Sequence, residues 1–109
     1  MMSLQNLLSK LYEPFTELSC DVTHYRRSGH PPYLVWSETG EESSFGANNH
    51  KAEQQITGLV DYYTLTEFDT TVDSIQETLN KEEVGWNLDS VQYEEETNLI
   101  HYQWRWWVV

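Results

Sequence analysis

The sequence predicts an α+β domain, a mostly antiparallel sheet of about four to five strands with two amphipathic helices packed on it as a second layer. Three observations carry this. Tyr102, Trp104, Trp106 and Val108 share one face of an extended C-terminal strand, and His101, Gln103, Arg105, Trp107 and Val109 share the other. Residues 54–63 alternate in the same way, with Ile56, Gly58, Val60 and Tyr62 opposed to Thr57, Leu59, Asp61 and Tyr63. Two further stretches, near residues 4–13 and 67–80, repeat their apolar residues at helical spacing. The element order is α-β-β-β-α-β-β.

In the first helix, Leu4, Leu7, Leu8, Leu11, Tyr12 and Phe15 form one stripe, Ser3 is the N-cap and Pro14 marks the stop. The first strand is expected around 19–25, with Cys20, Val22 and His24 on one side. Arg26 to Pro32 is a connection, because the Pro31-Pro32 pair excludes a central strand. The second strand starts at Tyr33-Leu34-Val35-Trp36 and runs to about Thr39. Gly40 to Lys51 holds turn formers and charges around a single large apolar residue, Phe45, and reads as a mobile loop centred on 41–51. The third strand follows.

Thr66 with Asp69 resembles a capping box, placing Phe68, Val72, Ile75 and Leu79 on the apolar face of a helix over 67–80. In the next strand the in-phase pairs are Trp86/Leu88 and Val91/Tyr93, and the one-residue slip around Asp89-Ser90 predicts a β-bulge. Glu94 to Asn98 is a turn into the last strand. The helices are expected on one sheet face. The other face is expected to carry Leu59, Tyr63, Trp107 and Trp36 and to want a partner.

At 109 residues the chain has room for one domain, read here as residues 1–109, with one modest core. Its net charge of -12 keeps it soluble and disfavours binding to phosphate backbones, which need Lys and Arg. Arg26-Arg27 is the only adjacent basic pair. A single cysteine, Cys20, excludes an intrachain disulfide. The N-terminal residues read as an amphipathic helix and not as a signal peptide, and no stretch approaches the ~20 apolar residues of a membrane helix.

Chemistry-bearing motifs are not found. His24, His30, His50 and His101 lack metal-site spacing, and one cysteine cannot build a thiolate site. Gly40 to Gly46 lacks the lysine of a phosphate loop. The acid runs Glu41-Glu42, Glu82-Glu83 and Glu94-Glu95-Glu96 lack the interleaved glycine turn of a calcium loop. No catalytic residue, metal or cofactor is therefore expected. Four of the five tryptophans lie after residue 85, as suits a part that packs against something.

Several segments carry a family resemblance. Tyr33-Leu34-Val35-Trp36, Asp61-Tyr62-Tyr63-Thr64 and Phe68 through Gln76 come first, followed by Trp86-Asn87-Leu88, Val91 through Thr97 and Ile100-His101-Tyr102. Together they resemble the small tail terminator and tail-completion (minor tail) proteins of siphophages and Gram-positive prophages. The resemblance implies a non-enzymatic, ring-forming protein, commonly hexameric, that ends tail-tube growth and joins tail to head. Its partners would be further copies of itself, the tail tube and head-connector proteins, with DNA passing through the ring but not gripped. Its location would be the virion tail, or the host cytoplasm during assembly.

Under that resemblance Phe45, Arg105 and Trp107 are candidate subunit contacts, and Glu41, Glu42, Glu94, Glu95 and Glu96 are candidate lumen or rim acids. Ring contacts are heterologous and need two unlike surfaces. The alternatives are another head–tail connector or minor structural protein, or an acidic inhibitor or adaptor that binds a basic host protein.

Overall fold

The computed structural model describes residues 3–41, 54–81 and 83–109. They form a five-stranded sheet with two α-helices on one face, in the predicted chain order. The strands are β1 (Asp21–His24), β2 (Tyr33–Glu41), β3 (Ile56–Thr64), β4 (Val84–Glu94) and β5 (Leu99–Val108), arranged β1-β2-β3-β5-β4 across the sheet. All pairings are antiparallel except β1 with β2, which run parallel through the connection at residues 25–32.

Helix α1 (Leu4–Tyr12) starts where Ser3 Oγ accepts from the Asn6 amide at 3.1 Å, the expected cap. It runs directly into a 3-10 turn, Glu13–Glu17, with Pro14 at its start and Phe15 fully buried. Leu7, Leu8 and Leu11 bury the stripe, whereas Leu4 and Tyr12 stay exposed at its margins.

Helix α2 (Thr71–Lys81) begins four residues later than the sequence predicts. Asp69 Oδ1 accepts from the Thr71 amide at 2.9 Å, and its carbonyl accepts the Val72 amide. Asp69 is therefore the side chain at the helix start, and Thr66 is not. Phe68 lies outside the helix, with φ of 55° and 94% of its surface exposed, so its place on the predicted apolar face is overturned. Ile75 and Leu79 do bury that face.

The two central strands carry the predicted alternation in register. Val60 opposes Trp104, Gly58 opposes Trp106, and Ile56 opposes Val108, all beneath the helices. Each fully buried indole removes on the order of 200 Å² from water, worth about 5 kcal/mol as an upper bound. The Gly58/Trp106 pair has a steric reason. A Cβ at Gly58 would overlap both the Ser37 carbonyl oxygen and the Trp106 ring, so only glycine lets this indole lie flat on β3. The predicted bulge in β4 is present between Leu88 and Ser90. Trp36 pairs with Val60 and packs in the helix-side core, which corrects its assignment to the open face.

Candidate functional site

The open face of the sheet has two parts. Toward the β4–β5 turn, Tyr33, Tyr63 and His101 stand side by side across β2, β3 and β5. Their rings stack at 4.8 Å and 4.2 Å, and the Arg27 guanidinium lies 4.7 Å over Tyr63. Val35 and Leu99 complete this small second cluster. Asp61 accepts from Gln103 at 2.9 Å and lies 2.7 Å from His101 Nε2, so the polar groups of this face hold one another. Burial pushes the Tyr33 and Tyr63 phenols up, partly offset by Arg27.

Toward the other end, Leu59, exposed Arg105 and half-buried Trp107 share the open face. The Trp107 indole covers Gly85, where a Cβ would overlap the ring. Trp107 thus satisfies part of its own surface within the chain. Arg105 stands between Leu59 and Asn87 and projects outward.

At the β1 edge, four rings form a column: Tyr12 on Trp36 at 5.3 Å, Trp36 on His24 at 3.7 Å, and His24 on Tyr25 at 3.9 Å. Glu38 receives the Tyr25 hydroxyl and sits 2.7 Å from His24 Nε2. Burial works to raise the Glu38 carboxyl, and the hydrogen bonds outweigh it and hold it low. Cys20 is half-buried, and burial followed by the charges of Asp21 and Asp69 pushes its thiol up to about 11, so it stays protonated and unreactive at neutral pH.

The helix-covered face changes character along its length. Read across the strands, one row is Trp36–Val60–Trp104–Leu88, the next Leu34–Tyr62–Tyr102–Val91, and the last Thr64–Ile100–Tyr93. The helices cover the start of each row and leave its β4 end open. Val91 is 52% exposed, Tyr93 59% and the neighbouring Leu65 58%. With Glu67, Gln92, Asn98 and Ile100 these residues line a groove of about 530 Å³.

The predicted site residues fall in separate places. Glu41 ends β2 beside Ile56, at the Val108 end of the sheet. Glu94, Glu95 and Glu96 lie at the β4–β5 turn, a full strand away, about 30 Å at ~3.3 Å per residue. Glu94 faces the open side opposite Leu99, and Glu95 and Glu96 are exposed. Arg105 and Trp107 are neighbours on the open face. Phe45, Glu42 and most of the 41–51 loop lie outside the described residues.

Asp69 is the residue whose role the sequence did not show. One Oδ accepts from Tyr62 at 2.6 Å and from Thr64 at 2.7 Å while the other caps α2, tying β3 to the helix. Burial would raise its carboxyl, but these hydrogen bonds prevail and hold it below the usual range. The signal was Asp two residues before a helical repeat, with Tyr and Thr at the end of the preceding strand.

Among the described residues, no three His, Cys, Asp or Glu side chains gather into a metal-binding group, and no helix is long and apolar enough to cross a membrane. No family model matches the chain, and no curated protein matches it.

Proposed function

We propose that this chain is a structural component of a phage or prophage tail, a ring-forming terminator or completion protein that ends tube growth and joins the tail to the head. One observation supports this most. The apolar face of the sheet continues past the helix layer, leaving Leu65, Leu88, Val91 and Tyr93 exposed on a chain of net charge -12. Large side chains kept in water on so acidic a protein are what a subunit of a larger assembly needs.

The open face, with Arg105 and Trp107, supplies a separate surface of different chemistry for contacts between copies, which leaves the exposed apolar end of the helix-side face to a different protein of the tail or head. The exposed acids Glu95 and Glu96 at the β4–β5 turn suit a ring through which DNA passes without being gripped. In this reading the protein catalyses no reaction, holds no cofactor, and works in the virion tail or, during assembly, in the host cytoplasm.

The test is to disrupt the gene in the phage or prophage that encodes it and to image the lysate by electron microscopy. Overlong tail tubes and filled heads without tails, both rescued by the chain in trans, are the expected result. Normal, infectious particles would refute the proposal.

A further inference from the structure

We propose that the free edge of β4 beyond its bulge, residues 90–94, docks an extended, basic segment of another protein, which joins the sheet as an added strand. This is independent of whether the chain forms a ring.

The two edges of the sheet are built differently. Edge β1 is four residues long and ends at His24, and the next residue, Tyr25, with a left-handed φ of 70°, turns the chain into Arg26-Arg27. Such an edge is too short and too sharply ended to template another strand. Edge β4 runs for eleven residues. Its bulge at Leu88/Ser90 breaks the edge once, and beyond it the register with β5 is regular from Ser90↔Gln103 to Glu94↔Leu99. That stretch, Ser90-Val91-Gln92-Tyr93-Glu94, contains no proline, lysine or arginine. Among the described residues, no strand pairs with its outer side.

Side chains and charge define the occupant. Val91 and Tyr93 project on the helix side into the groove with Leu65 and Ile100, so an added strand would place alternate apolar side chains there while its backbone pairs with β4. The groove lining contains Glu67 and no lysine or arginine. Glu95 and Glu96 follow at the turn. Glu67 in the lining and Glu95 and Glu96 at the turn favour a strand that alternates aliphatic residues with Lys or Arg. They disfavour a second copy of this chain, which carries a net charge of -12, and they repel nucleic acid.

The probe is a short acetylated peptide of alternating valine and lysine, titrated by fluorescence polarisation, with hydrogen exchange followed at the amides of residues 90–94. Binding that slows exchange at these amides is expected. N-methylation of the peptide nitrogens that would face β4 should weaken binding roughly tenfold or more, as should the substitution Val91→Lys in the protein. Val91 is already half in water, so this variant should keep the fold, which circular dichroism checks. Ser74→Lys, on the exposed side of α2, adds the same charge and should leave binding nearly unchanged.

Three results would overturn the proposal. One is no binding. Another is binding that Val91→Lys and Ser74→Lys weaken equally, which would be charge attraction alone. The third is slowed exchange at 90–94 without peptide in a self-associated chain, which would make a second copy the occupant.

Discussion

The helix-covered face of the sheet is one surface with two fates. At its inner end Trp104 and Trp106 are completely buried beneath α1 and α2. One and two rows beyond Trp104, Val91 and Tyr93 lie on the same face of the same β4–β5 hairpin and stand more than half exposed. Across the bulge in β4 the same face stays apolar between these ends; the helices simply stop. Apolar alternation therefore records that a face is to be buried, and it does not record whether this chain or another does the burying.

Substitutions should separate the two ends by size of effect. Trp106→Ala should cost about 3–5 kcal/mol by urea denaturation, as expected for a fully buried aromatic. Gly58→Ala should come next, at about 1–3 kcal/mol, because its Cβ meets backbone at Ser37 as well as the fixed Trp106 ring. Gly85→Ala is the informative contrast. The three atoms nearest its Cβ all belong to the half-buried Trp107 side chain, which can swing outward, so the loss should stay under about 1 kcal/mol. Equal losses at the two glycines would mean that Trp107 is held as firmly as Trp106.

Asp69 ties the inner end to the point where the helices stop. Asp69→Ala removes the cap of α2 and the acceptor of Tyr62 and Thr64, and should cost about 2 kcal/mol. The pH dependence has a definite sign. The folded carboxyl titrates below its unfolded value of about 3.9. Its stabilisation is therefore complete above that pH and is lost as pH falls through the lower, folded value. Urea midpoints for Asp69→Asn should accordingly fall less between pH 5 and pH 2 than those of the parent chain. The smallest effect should be at the outer end. Tyr93→Ala should change stability by no more than about 0.5 kcal/mol, since the ring is largely in water already.

Much of the fold was legible because its two central strands, β3 and β5, alternate strictly. The faces of β3 and β5 and the β4 bulge follow from side-chain period, and the turn read at Glu94 to Asn98 falls at 95–98, with Glu94 still paired in β4. The start of α2 was not legible. Thr66 and Asp69 satisfy a capping pattern, but Asp69 has stronger uses for its carboxylate in Tyr62, Thr64 and the Thr71 amide, and Phe68 turns away with positive φ. Trp36 was misplaced because a buried strand apolar on both faces, as β2 is from Tyr33 to Trp36, has no period to read. The docking edge was hidden for a related reason: Val91 and Tyr93 look like core residues, and only the reach of the helices shows that they are not.

The most direct test of the proposal that this chain is a ring-forming tail subunit is its mass by light scattering across a concentration series, alone and with purified tail tubes, with electron microscopy of any large species. A closed ring, free or seated on the tube end, is the predicted result. A chain that stays monomeric at every concentration and leaves the tubes bare would contradict it.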